Sequence, residues 1–289
     1  EMANNITKKI VLYLVLIFVL IFVQAQLSIG ITMITKPDLV SHLTADELNQ
    51  SPPSNPGPTR PSKDFVRIGK GTGDLVISNK TGKYVIEPGN YNSISITSSK
   101  DITVDGKGEV YSKTLNVSGL NNATIEGLNF KDNPFRAVII SGVNNNLNIQ
   151  NLTLKNIGDA GIGWFDMKEQ SATMKNICFK NITADNVGWS TIYLEGDLTE
   201  AGPRGLIDGL EIANIKVTNC KAPGSVVYIG MAENADIHDN LIDNINSENN
   251  NHNGIYFIRG NGRFYNNTTT NFQGNVVRWW NCSVGSKKP

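Results

Sequence analysis

Several things that would narrow the function are scarce in this chain. It has no excess charge: Lys plus Arg and Asp plus Glu number 26 each. There is thus no basic field to collect a nucleic-acid backbone. Cysteine occurs only three times, an odd and sparse set that supplies no disulfide framework. No apolar run is long enough to cross a bilayer. The longest, Ile10–Val23, has 14 residues, short of the ~20 a spanning helix needs. Lys8 and Lys9 precede that run and Val23-Gln-Ala25 follows it, so residues 1–25 read as a signal peptide removed on export. No cysteine stands at the cleavage site to carry a lipid. These features predict a secreted, periplasmic or cell-surface protein with no membrane span after processing.

Residues 26–63 form an N-terminal segment ending in the Pro-rich stretch Ser51–Pro61, which should be extended. A folded domain is expected over 64–289. The predicted last strand, Val276–Trp280, is followed by only nine residues. An open parallel edge is an aggregation hazard, so the chain is expected to be truncated at this end.

What the chain has in quantity is asparagine, 37 residues, and a repeat that carries it. The repeat reads Ile149-Gln-Asn151-Leu152-Thr-Leu154-Lys-Asn156-Ile157, and again Met174-Lys-Asn176-Ile177-Cys-Phe179-Lys-Asn181-Ile182. Further copies begin at Ile125, Ile212, Ile237 and Phe264, giving steps of 24, 25, 38, 25 and 27 residues. A period of this length with two-residue apolar alternation marks a solenoid of short strands. Asn, Gly and Asp at the third and eighth positions tolerate the left-handed backbone region, so each should be a bend. Stacked at the ~4.8 Å strand spacing, like amides can bond along the stack. The spacing predicts that Asn151, Asn176 and Asn214 share one bend. The expected fold is all-β: a single-stranded, right-handed parallel β-helix with an Asn ladder.

In this register Cys220 falls on an inward position with Ile182 and Ile245, and Cys178 faces outward. A third strand follows each pair: Ile162-Gly-Trp164, Ile192-Tyr-Leu194, Val227-Tyr-Ile229, Ile255-Tyr-Phe257 and Val277-Arg-Trp279. Their middle residues give an outward column of Gly163, Tyr193, Tyr228, Tyr256 and Arg278. A second column holds Phe165, Glu195, Ile258 and Trp280. Aromatic rings with polar tips suit sugar faces, and a strip repeating with each turn of the coil suits an extended polymer. Tyrosine is also simply a good strand residue, which leaves a non-catalytic binding or surface-structural protein as the alternative.

The repeat is broken most between Leu194 and Ile212, by a loop containing Glu195, Asp197, Glu200 and Arg204. Three carboxylates and an Arg there could bind calcium, act as acid and base, or hold a uronate. Asp197, Arg204 and Arg259 are the catalytic candidates. Tyr193, Tyr228, Tyr256, Arg278, Trp280 and Glu195 are the substrate-binding candidates, with no assigned metal ligands. His252 reads as a solvated residue and His238 aligns with the exposed positions Gln150 and Lys175; Asp159 and Asp166 are weaker neighbours of the same cleft.

The two Asn columns, with Tyr84-Val-Ile-Glu-Pro-Gly-Asn-Tyr91 and Ile94–Asp105 as opening rungs, resemble the pectin-lyase-like superfamily of right-handed parallel β-helix proteins. The likeness runs over roughly 64–282. Residues 114–130, Leu115-Asn-Val117-Ser-Gly119 through Ile125-Glu-Gly127-Leu-Asn-Phe130, are similar to an early rung of the chondroitinase B and alginate lyase group. That resemblance implies a polysaccharide partner, a monomer, and a Lys and an Arg near calcium. The Asn-Thr-Asp, Asp-Asp and Gly-His-Gly of β-helix polygalacturonases are absent, as are the Trp-x-Asp-His and Arg-x-Pro-x-x-Arg of pectate lyases. Ile258-Arg259-Gly260 matches the group's Arg-His-Gly only in part. The implied activity is a polysaccharide lyase, ahead of a hydrolase, on a uronate-containing polymer.

Overall fold

The structure, a computed structural model, describes residues 65–221, 224–245 and 254–281. The leader over 1–25, the segment over 26–63, His252, Cys282 and the last residues lie outside them. Among the described residues no helix is long and apolar enough to cross a membrane. Seventeen strands join in one hydrogen-bonded array, and a separate two-stranded hairpin stands beside it. Among the described residues every strand pairing in the array is parallel, and only the hairpin, Asp197–Thr199 with Gly202–Arg204, is antiparallel. This is the parallel β-helix that the repeat predicts.

The core is a set of columns running through successive turns of the coil. Ile125, Ile149, Phe179, Ile212, Ile237 and Phe264 pair in sequence, and the first five are fully buried. Each such aliphatic or aromatic side chain contributes about 1.5–3 kcal/mol when removed from water. No rung holds a closed core alone, so each depends on its neighbours.

The bends are where the residue types require them. Asn151, Asn181 and Asn214 all have positive φ, at 55°, 53° and 54°, as do Asn156, Asn186 and Asn219. The register corrects one expectation: Asn151 stacks with Asn181 and Asn214, whereas Asn176 stacks with Asn146 and Gly209. The two middle steps are therefore 30 and 33 residues (149 to 179, then 179 to 212) rather than 25 and 38. Bends recur every five residues inside a rung, as at Asn146, Asn151 and Asn156. A slip of five thus exchanges one bend for another of the same chemistry. The 3-10 turn Met167–Glu169 lies within the added length of this rung.

Side-chain amides bond between rungs in pieces. Asn186 donates to Asn156 at 2.9 Å and Asn156 to Asp132 at 2.7 Å. Asn181 donates to Asn151 at 3.1 Å, but Asn151 turns to Glu126 at 3.2 Å. Asn219 likewise chooses Asp185. Where a carboxylate is in reach it takes the amide proton, because the ionised acceptor bonds more strongly.

Candidate functional site

The strands Ile192–Leu194, Val227–His238 and Tyr256–Tyr265 set the register of the aromatic face. Tyr193 pairs with Gly163 on one side and Tyr228 on the other. The next partner of Tyr228 is Phe257, not Tyr256. Tyr256 points inward and is fully buried, which removes it from the substrate-binding set. Ile258 is inward too, and Arg259 takes its place opposite Trp280. The run Ile255-Tyr256-Phe257-Ile258 is apolar at four successive positions, so alternation cannot choose between frames one residue apart.

Because the rung spacing lies within the centroid distances of offset-stacked rings, the rings stack along the coil. Phe165 and Trp189 lie 4.9 and 4.6 Å from Tyr193. Tyr193 lies 4.6 Å from Tyr228, and Tyr228 lies 4.8 Å from Phe257 at 10°. Trp280 closes the row edge-on to Phe257 at 5.5 Å. The faces of Tyr193 and Tyr228 are therefore covered by neighbouring rings. A sugar cannot lie flat on them, contrary to the sequence expectation; what the strip presents is ring edges and phenol hydroxyls. Among the described residues neither hydroxyl has a hydrogen-bond partner in the protein. Burial pushes both phenols above their ordinary range, so they stay protonated and can donate.

Charged groups flank this strip. Arg136 lies over Phe165 at 3.6 Å and donates to Asp159 at 2.8 Å. Lys168 bonds Glu195 at 2.8 Å, and that bond holds its ammonium above the ordinary range. Arg259 donates from Nη1 to Asp197 at 3.2 Å, with its guanidinium 5.3 Å from the Phe257 ring and 5.2 Å from the Trp280 ring. Arg278 lies 5.2 Å from Trp280 and has no carboxylate partner among the described residues. Both tyrosines feel this group electrostatically, Tyr193 through Glu195 and Arg259, Tyr228 through Arg259, Glu195, Asp197 and Lys168.

The structure thus gathers Tyr193, Tyr228, Glu195, Asp197, Arg259, Arg278 and Trp280. It does not gather Arg204, which pairs with Asp197 through backbone across the hairpin while its exposed side chain forms no ion pair among the described residues. Asp159 belongs to Arg136, and Asp166 accepts the Gly142 N–H. Sequence reasoning missed Arg136, Lys168 and Trp189. All three sit in turns outside the strand pattern, where spacing carries no signal. Among the described residues no three His, Cys, Asp or Glu side chains gather to hold a metal ion.

A second cluster lies on another face. Glu211 Oε1 accepts from Lys180 at 2.7 Å and lies 3.4 Å from His238 Nε2, and Cys178 lies 3.6 Å from the other oxygen. His238 stacks on Tyr265 at 4.9 Å and is half-buried, although its alignment with Gln150 and Lys175 suggested an exposed position. Burial, then the neighbouring Glu211, pushes the Cys178 thiol up to about 12, so it is no nucleophile at neutral pH. Cys220 is buried as expected, though its rung partner is Val187 and not Ile182.

The bond to Asp239, then that to Glu211, raises the His238 pKa above 6.5. A raised folded pKa means the stabilisation is fully present below the unfolded value and is lost as pH rises through the folded one. Stability should therefore be lost, by a fraction of a kcal/mol, as pH rises from about 6.5 through the raised folded value. His238→Gln should flatten that slope in urea titrations at a series of pH values. A slope unchanged in the variant would assign it to other groups.

No family model matches the chain, and no curated protein matches it. Among solved structures, an alginate lyase from Paenibacillus sp. str. FPU-7 is similar at 13% identity, with 73% of this chain and 90% of that chain covered and a TM-score of 0.44. At that identity and score the likeness carries no argument about activity.

Proposed function

We propose that this is an exported protein that engages an extended, acid-bearing polysaccharide along the strip from Phe165 to Trp280. The observation that carries the reading is the row of unpartnered phenol hydroxyls at Tyr193 and Tyr228, bordered by Arg259, Arg278 and the pairs Lys168–Glu195 and Asp197–Arg259. Phenol donors suit sugar hydroxyls and ring oxygens. Guanidinium forks suit uronate carboxylates, which they can bind through two parallel bonds. Repetition at each rung suits a polymer over a single sugar.

Turnover is the second reading, favoured by the convergence of acids and bases beside the phenols. A lyase needs a base for the proton next to the uronate carboxyl and a cation to spread the charge that develops there. Glu195 or Asp197 is the base available, Arg259 the cation, and a protonated tyrosine the acid for the leaving oxygen. A hydrolase would instead use the two carboxylates as a pair.

Titration of the protein with polygalacturonate and with an uncharged glucan tests the reading. Binding to the acidic polymer is expected. Tyr228→Phe should weaken it severalfold by loss of one hydrogen bond, roughly 0.5–1.5 kcal/mol. Tyr228→Ala, which removes the hydroxyl and also the ring that packs between Tyr193 and Phe257, should weaken it about tenfold, and more for long oligomers than short ones. If neither polymer binds, or if both variants bind like the parent, the strip is strand surface only. New ultraviolet absorbance from unsaturated products, with and without added calcium, separates turnover from binding.

A further inference from the structure

Arg259 is only 19% exposed and uses one nitrogen, Nη1, on a carboxylate of its own chain, Asp197, 62 residues away in sequence. Its Nε is buried with no hydrogen-bond partner among the described residues. The Nε donor is therefore unsatisfied among the described residues. An unpaired donor of this kind costs about as much as a lost hydrogen bond. Asp197, by contrast, is 51% exposed, and its Oδ1 also caps the Leu198 N–H at 2.8 Å. Water can replace Arg259 around this carboxylate at little cost, whereas the guanidinium cannot so easily do without an anion.

The root of the hairpin that carries Asp197 is fixed: a Cβ on Gly230 would lie 2.2 Å from the Gly196 nitrogen, so the two backbones are in close contact. On its far side the Gly205 N–H donates to Gln170 at 3.0 Å. A change of partner therefore needs only the Asp197 side chain to turn.

Resting on the proposed polysaccharide reading, we infer that Asp197 is a built-in stand-in for the ligand's acid group, autoinhibiting Arg259 until a polymer carboxylate displaces it. The incoming carboxylate takes the place of Asp197 on Nη1, and Asp197 turns to solvent. The site then binds anionic polymers with an affinity lowered by this internal competition, and a neutral polymer does not release it.

The test is affinity for polygalacturonate in a double-mutant cycle. Asp197→Asn should bind roughly two- to fivefold more tightly, the range an exposed ion pair is worth. Arg259→Gln should bind much more weakly, and adding Asp197→Asn to it should restore nothing. Glu200→Gln, on the exposed tip of the same hairpin, should leave affinity unchanged. Thermal melts confirm that each variant folds, and Arg259→Lys serves if the Gln variant does not. If Asp197→Asn tightens binding equally with and without Arg259, Asp197 acts by simple repulsion and the stand-in is refuted. Unchanged affinity in Asp197→Asn refutes it also, while the polysaccharide reading stands. No binding by any variant overturns that reading, and the stand-in with it.

Discussion

Gly260→Val is expected to cost at least about 4 kcal/mol and to detach the rungs beyond Val227–His238. Gly260 pairs with Ala232 where the two strands pass through a register irregularity. Its φ is +132°, and a Cβ there would lie 1.6 Å from the Ala232 carbonyl oxygen and 2.7 Å from the carbonyl carbon. Those are backbone atoms in a buried stack, so no side chain can swing aside. The strand would have to lift, breaking the bond from Trp279 Nε1 to the Gly260 oxygen and carrying Arg259 away from Asp197. Gly82→Ala is the control. That glycine also has positive φ, +102°, but nothing lies within 4 Å of its Cβ position. It should lose only about 1–3 kcal/mol of backbone strain. Urea unfolding of the two variants checks the contrast, and comparable losses would mean that conformation, not close approach, decides the site.

The same glycine shows how far the sequence could be read. Ile258-Arg259-Gly260 resembled a fragment of a catalytic motif, yet Gly260 is there to let two backbones meet. The fold was legible because its signal is redundant: each rung repeats the alternation, and Asn at each bend supplies the left-handed geometry. Redundancy also produced the error in register, since bends five residues apart are chemically alike. At the aromatic face Tyr193, Tyr228 and Arg278 were placed correctly because a polar or small residue interrupts the apolar run. Tyr256 was misplaced where four apolar residues in a row erased that marker. Arg136, Lys168 and Trp189 were invisible because turns obey no period. The stacking that hides the tyrosine faces was invisible for another reason: it depends on rings from successive rungs meeting at stacking distance, which no single rung encodes.

The second large effect is expected from Asn240→Leu, a loss of about 3 kcal/mol. Asn240 is nearly fully buried, in a place where apolar area removed from water is stabilising. Its amide is fully employed, however. Oδ1 accepts the Ile215 N–H at 2.8 Å, and Nδ2 donates to the Ile212 oxygen at 3.1 Å and to Asn267 Oδ1 at 2.8 Å. The first two partners are backbone groups on the preceding rung, at the bend around Asn214. Leucine would leave both unsatisfied in a place water does not reach, at about 1–3 kcal/mol each, partly offset by the added apolar burial. Asn267→Ala removes an equivalent side chain one rung later, which also bonds Asn240 and the Ile237 oxygen. It is only half-buried, so water can substitute and the loss should be nearer about 1 kcal/mol. The measurement is urea unfolding with amide exchange at Ile215, whose protection should collapse in Asn240→Leu and persist in Asn267→Ala. If Asn240→Leu is as stable as the parent, hydrophobic burial outweighs the bridge, and the bends of this coil are held by packing alone.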